Sequence, residues 1–363
     1  LERLGYFKGV EVETPAVPGT DDQIDVEFAV EEQPSGAISG TLAYSQGYGL
    51  ILGANYQQSN LQGSGNSLSV GLNYSKYQQS VNLNYFDPYF TLDGISRGYN
   101  VFFRRLDYDA RNIARYSTDS AGGGVTFGFP IGETQRINFG MNIEHTEIRE
   151  GFAAAQEISE FIERNGPDAL NFKASLSWIR STLNRGVFAD RGSSQSIGLT
   201  FAVPGSDLEF YRLTYQGEKY FPLSRLFTLK LRTELGYGDS YGNTPALPFY
   251  EHFFAGGFGS IRGFENSTLG PRSTPPLDEN GNPIIFSSFD NDGRFGQPFG
   301  GNLMLEFSAE VIFPLPFVED NRQFRPAFFF DVGNVFNTEC PTVSTNCFDL
   351  STDELRYSAG FGL

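Results

Sequence analysis

The chain has 363 residues, 39% of them apolar, and a formal charge of −17. No apolar run approaches the roughly 20 residues that a membrane-spanning helix requires, and an acidic chain without a Lys/Arg cluster excludes nucleic acid, whose phosphates demand a basic groove. The 36 Phe and 18 Tyr stand beside 42 Gly and a single Trp, more aromatic residues than one soluble interior would normally hide.

The first residues differ in kind from the rest. Leu1 to Phe7 reads as the end of a helix, and Val10-Glu11-Val12-Glu13 with Asp25 to Val30 as a two-stranded hairpin across Pro18-Gly19. This is a fragment of a soluble α+β module, and without a signal peptide at Leu1 the sequence is expected to open in mid-domain.

From about Ala37 apolar or aromatic residues recur at every second position, with a turn after about ten residues, which predicts strands. About fourteen are expected, beginning near Ile38, Leu50, Leu68, Val81, Tyr99, Val125, Ile137, Phe172, Ile197, Tyr211, Phe227, Leu303, Phe324 and Leu355, the last cut short at Leu363. Leu303, Leu305, Phe307, Ala309, Val311 and Phe313 give one of them an oily face, and Glu306, Ser308 and Glu310 give it a charged one. A soluble sandwich shares this period of two. Long strands, unequal loops and aromatic residues near strand ends favour a transmembrane antiparallel β-barrel, which must close because lipid offers no partner to an open edge. The short connections Phe129 to Glu133 and Phe221 to Ser224 alternate with longer polar ones, as periplasmic turns alternate with extracellular loops.

Two connections stand out. Between Gly151 and Gly166 the spacing of Ile158, Phe161 and Ile162, followed by Gly166-Pro167, predicts a short amphipathic helix capping one side of the barrel mouth. Residues 242–300 form a loop far beyond the usual dozen, and such loops are generally functional or disordered. Its aromatic, Gly-rich first half reads as ordered, and Asp278 to Pro283 as a surface excursion.

Cys340 and Cys347 have a spacing that suits a local disulfide in an oxidising compartment, or they are two free loop thiols. No metal site is expected, since His145 and His252 lie far from them. Within the long loop, Arg262 lies between residues too small and too apolar to satisfy it. Two carboxylates have the right facing: Glu310 on the polar face of its strand, and Asp331, which points inward if Phe328, Phe330 and Val332 face lipid. Either they hold the guanidinium inside the lumen or Arg262 is a solvated surface residue.

Ile261-Arg262-Gly263-Phe264 closely resembles the Val/Ile-Arg-Gly-Phe/Tyr loop motif of the polypeptide-transporting outer-membrane β-barrel family, and Pro248 to Gly257 looks like the version in its assembly-factor branch. Asp87 to Gly94 resembles the family's turn after its fourth strand, Gly300-Gly301-Asn302 the opening of the strand after the loop, and Leu4-Gly5-Tyr6-Phe7 with its hairpin the end of a POTRA domain. The resemblance implies the C-terminal part of the last POTRA domain over residues 1–35. It implies a sixteen-stranded barrel, short of its final strands here, over 36–363, with the loop 242–300 entering the lumen and Arg262 contacting Glu310 and Asp331.

It further implies the central subunit of the outer-membrane β-barrel assembly machinery in the bacterial outer membrane, with the N-terminal part in the periplasm. Its partners would be unfolded β-barrel clients, periplasmic accessory lipoproteins, and outer-membrane lipid and lipopolysaccharide, and it would need no cofactor. In the resemblance the lateral seam lies beside the first strand, about Ala37 to Ser45, whose Ile38, Ser39, Gly40, Thr41, Leu42, Ala43 and Tyr44 would template a client strand. Its small residues fit either a weak edge open to β-augmentation or merely a tight curve. A two-partner secretion translocator shares the arginine motif, and a passive porin would use the loop as a constriction. No enzyme is expected: there is no Gly-x-Ser-x-Gly elbow or phosphate loop, and Asp290-Asn291-Asp292-Gly293 lacks the later ligands of a calcium loop.

Overall fold

The computed structural model describes residues 7–362 except 21, 33, 46–48, 112, 187, 225, 285–295, 315–324, 341–346 and 348–349. The helix end expected before Phe7, the strand start at Phe324 and the turn Asp290 to Gly293 lie outside the described residues.

Strands β1 (Phe7–Glu13) and β2 (Glu27–Glu32) form an antiparallel hairpin with Val10 opposite Val30 and Val12 opposite Phe28. The next seven strands are β3 (Gly36–Ser45), β4 (Gly49–Gln58), β5 (Ser67–Tyr74), β6 (Gln78–Asp87), β7 (Ser96–Asp107), β8 (Tyr116–Gly132) and β9 (Gln135–Glu150). Helix α1 (Gln156–Asn165) follows, then β10 (Asp168–Ser181), β11 (Gly192–Ala202), β12 (Phe210–Pro222), β13 (Thr228–Ser240), β14 (Leu303–Ile312), β15 (Ala327–Phe336) and β16 (Arg356–Gly362). Strands β3 to β16 pair in sequence order, each antiparallel to the next, in one fourteen-stranded sheet with β3 and β16 at its edges.

Such a meander puts every second connection at the same end. The connections after β9, β13 and β15, which carry α1, the long loop and Cys340, share the loop end. The turn end carries tight links such as Glu133-Thr134 between β8 and β9.

Alternation fixes the faces. On β14 Phe307 is exposed while Glu306 and Ser308 are buried, and on β15 Phe328 and Phe330 are exposed while Asp331 is fully buried. One face of the sheet is therefore apolar and open and the other polar and covered, as lipid outside and a polar lumen inside require. Towards the turn end of β13 to β16 the outward face closes with an aromatic row, Phe313 stacked on Phe328 at 5.3 Å between ring centres and Phe328 edge-on to Phe361 at 5.6 Å. Towards the loop end of β7 to β9 it closes with ions, Arg105 and Arg149 both paired with Asp119, at 2.5 and 3.0 Å.

The main departure from the expected strand lengths is at β8 and β9, which run to 17 and 16 residues. The start expected at Val125 falls nine residues inside β8, because Gly122-Gly123-Gly124 and the polar residues before it read as a loop. The glycines instead make room within the ladder: a Cβ on Gly122 would meet the Ile143 carbonyl at 2.4 Å and the Phe102 ring at 3.0 Å.

Helix α1 stops at Gly166, whose φ of 85° suits glycine. It turns Ile158, which is fully buried, and the partly buried Phe161 onto the base of the long loop, with Phe161 edge-on to Phe249 at 5.2 Å. Ile158, Phe249, Phe299, Ile113, Tyr116 and Ile148 form the largest buried apolar cluster at this end. Each such side chain contributes about 1.5–3 kcal/mol by leaving water, so the loop is bound to the barrel wall before any ion pair is considered.

Candidate functional site

The long loop joins β13 to β14. Its two halves are stitched together where Phe253 and Gly301 exchange backbone hydrogen bonds of 2.8 and 3.1 Å and His252 Nδ1 meets the Phe299 carbonyl at 3.0 Å. Beyond this stitch the chain makes a tight turn through Gly256 and Gly257, closed by the Gly257 amide donating to the Ile261 carbonyl at 3.1 Å. Gly256 has a φ of 102°, and a Cβ there would lie 2.6 Å from the Glu265 carbonyl, so position and conformation both demand glycine. The Ser260 hydroxyl takes the Gly256 amide at 2.8 Å and donates to Glu306 on β14. Ile261 is buried against Ala255, Leu269 and Val335, and this apolar peg aims the next residue at the wall.

That residue is Arg262. Its Nε and Nη2 donate to the two oxygens of Asp331, each at 2.7 Å, a bidentate fork, and its backbone amide adds a third bond to Oδ2 at 3.1 Å. Nη1 pairs with Glu310 at 2.7 Å, Nη2 reaches the Ser308 hydroxyl at 3.0 Å, and the guanidinium carbon lies 3.8 Å from the centre of the Phe329 ring. The strand ladder explains the convergence. Ser308 stands opposite Asp331 and donates to it at 2.7 Å, while Lys230 stands opposite Glu310 and pairs with it at 3.3 Å. Hydrogen bonding to Asp331 raises the Arg262 pKa, so the side chain stays charged. Truncating one partner of such a buried pair costs about 3–5 kcal/mol, since the other charge is stranded.

The structure thus brings Ile261, Arg262, Glu310 and Asp331 together. Gly263 reaches β16, where a Cβ added to it would lie 3.6 Å from Ser358, and Phe264 packs on the Ile261 cluster. Cys340 and Cys347 are joined as a disulfide with their Cα atoms 5.7 Å apart, in the connection after β15.

The first strand lies elsewhere, at the opposite edge of the sheet from the clamp. Ile38, Leu42 and Tyr44 face outward and are 83%, 76% and 79% exposed, against 41% for Leu52 on the neighbouring strand, because among the described residues nothing covers the outer edge of β3. Ser39, Thr41 and Ala43 alternate to the other face. Gly40 is not there for want of room, since a Cβ would meet only the Gly53 carbonyl at 3.9 Å.

Sequence reasoning missed four contributors. Ser308 and Phe329 complete the clamp, but only the register of β14 against β15 brings them to it. Asn302 accepts the Thr338 amide at 2.9 Å and donates to the Gly238 carbonyl at 3.0 Å, tying the loop's exit to two strand ends. The fourth, Glu251, is a lone carboxylate in an aromatic run, and the isolation that singled out Arg262 was signal enough to find it. It pairs with Lys173 and Arg212 at 2.9 and 3.0 Å.

Residues 60–363 match the family model of the Omp85 superfamily domain. The outer membrane protein assembly factor BamA of Neisseria meningitidis serogroup B is 32% identical over 388 residues, which cover 99% of this chain and 46% of that protein. BamA of Nitratidesulfovibrio vulgaris is 26% identical, over 75% of this chain and 33% of its own. The chain therefore spans about half or less of the length of these two relatives. The crystal structure of BamA from Haemophilus ducreyi lacking POTRA domains 1–3 superposes with a TM-score of 0.83 at 30% identity, over 99% of this chain and 69% of that one. Family and fold indicate a bacterial outer-membrane protein. A fourteen-stranded antiparallel wall, an apolar outer face and a family match over most of its length lead to one conclusion: the chain belongs to the Omp85 superfamily.

Proposed function

We propose that this chain is the membrane-embedded part of a β-barrel assembly factor, which receives unfolded outer-membrane proteins and inserts them beside its first strand. The observation that carries the reading is the likeness of nearly the whole of this chain to a solved BamA. The β1–β2 hairpin is read as the end of a POTRA domain on the periplasmic side. Val12, Val26 and Phe28 are each more than half exposed, a face that the rest of such a domain would cover. The turn end, from which β3 departs, then faces the periplasm.

The physical route is β-augmentation. A client strand in lipid has unpaired amides and carbonyls, and the outer edge of β3 offers it a ladder. Each backbone bond contributes only about 1 kcal/mol net, so pairs form and exchange without an external energy source, and the client's own folding drives the process. No catalytic group is required. Arg262, Glu310 and Asp331 would fix the loop that shapes the lumen. Accessory lipoproteins, lipid and lipopolysaccharide are the expected partners.

Depletion of the full-length protein in its parent cell tests the reading. General loss of outer-membrane β-barrels is expected. Loss of a single secreted product would replace it with a dedicated translocator, and unchanged β-barrel levels with reduced small-solute uptake would replace it with a porin.

A further inference from the structure

The loop carries a second charged element, whose sign is opposite to that of Arg262. Glu251 ends the short turn Phe249–Glu251, ten residues before the peg of Ile261. Its Oε1 lies 2.9 Å from Lys173 Nζ on β10, and its Oε2 lies 3.0 Å from Arg212 Nη1 on β12. Lys173 is shared with Glu144 of β9 at 3.2 Å, and Arg212 lies with its guanidinium carbon 4.5 Å from the centre of the Phe253 ring, on the loop. The side chains of Lys173, Glu144 and Glu251 are only 11–14% exposed, and Arg212 is 29% exposed. Burial alone would raise the Glu251 pKa, but Lys173 and Arg212 outweigh it and hold it below the ordinary value.

The two anchors of the loop are opposite in sign. The Arg262 turn meets Glu310 and Asp331 on β14 and β15, and Glu251 meets Lys173 and Arg212 on β10 and β12. With Glu144 on β9 included, one loop is tied to strands from β9 to β15. A loop docked the other way round would set Glu251 against Asp331 and Arg262 against Arg212, like charges in a poorly hydrated site, which costs several kcal/mol. We infer that Glu251 is a positioning residue, a second and oppositely charged anchor that lets the loop dock in one orientation only and sets where the Arg262 turn comes to rest. That the anchor matters for client insertion rests on the function proposed above; the anchor itself does not.

The test uses the full-length protein in lipid vesicles, with spin labels on Phe258→Cys beside the Arg262 turn and Leu223→Cys at the turn end, both exposed positions. With Glu251 intact the distance distribution should be a single narrow peak. Glu251→Gln, which keeps the shape and removes the charge, should give a broad or shifted distribution while the barrel still resists unfolding in cold detergent. Lys173→Met, which leaves the loop sequence untouched, should do the same, and the double variant should be no worse than either single one. An unchanged peak in Glu251→Gln overturns the inference, and so does full additivity of the two variants. Insertion of a β-barrel client is followed in the same vesicles. A displaced loop with unimpaired insertion supports the anchor and counts against the assembly reading, so the two can fail separately.

Discussion

The two sides of the wall are built differently. From β7 to β15 the sheet is braced from inside: Tyr116, Ile148 and Phe210 pack against the loop or its neighbours, Lys173 and Arg212 hold Glu251, and Asp331 holds Arg262. From β3 to β6 the brace is thin, with Tyr77, in the connection before β6, packing on the apolar cluster edge-on to Tyr108 at 5.9 Å. Every buried hydrophobic side chain among the described residues is at Tyr108 or later, and β3 to β6 are strands of eight to ten residues joined by ladder bonds. A barrel held in this way yields first where only backbone pairs resist, since a region with few buried contacts opens at a lower free energy than a packed one.

Three changes would break or sharpen that contrast. The largest effect is expected for Arg262→Ala, which strands Asp331 inside the wall. The loop should lose about 3–5 kcal/mol of local stability and become sensitive to added protease, and client assembly should fall. Arg262→Lys should lie between, because an ammonium cannot form the bidentate fork. Normal protease resistance and normal assembly in the alanine variant would remove Arg262 from the brace.

Acid should loosen the same side. His252 sits at the stitch of the loop, where burial lowers its pKa from 6.5 to about 4 despite the Phe299 carbonyl. The folded state therefore binds fewer protons than the unfolded one. Its contribution is complete above about pH 6.5 and is lost as the pH falls towards about 4, to a limit of about 3 kcal/mol. Hydrogen exchange at pH 7 and pH 4.5 should show faster opening at residues 247–272 and little change in β3 to β6. Equal change on both sides would mean that the stitch does not govern the brace.

The smallest effect is expected on the thinly braced side. Gly40 has room for a side chain, so Gly40→Val should stiffen β3 by at most about 1 kcal/mol. Slower exchange of β3 amides and a modest slowing of client assembly are expected. Faster assembly would mean that a stiff template, rather than a yielding one, is what the client needs.

The architecture was legible wherever one face met lipid. Phe328 and Phe330 told which way Asp331 points, and the same period of two set Glu310 inward. The isolation of Arg262 and the short helix between Gly151 and Gly166 could also be read directly. What hydropathy does not encode is register, and register makes Ser308 the neighbour of Asp331 and Lys230 the neighbour of Glu310. It also missed the start of β8, since a glycine run that spares the Phe102 ring and the Ile143 carbonyl looks the same in sequence as a turn. Glu251 carried the same signal of isolation as Arg262, but its partners, Lys173 and Arg212, are separated from it by 78 and 39 residues, and only the pairing of the strands makes them neighbours.

Those separations also order events in time. Arg262 meets Asp331 across 69 residues of chain, and Glu157 meets Thr274 across 117. Contacts so distant in sequence are slow to form, because the intervening loop must close before they are rewarded. The site formed by Ser308, Glu310 and Asp331 does not exist until β14 and β15 have paired, so the arginine turn has nowhere to settle in a chain still being threaded into the membrane. Docking of the loop would then be the last step of this protein's own maturation, and a protease-resistant loop would mark molecules that have finished folding.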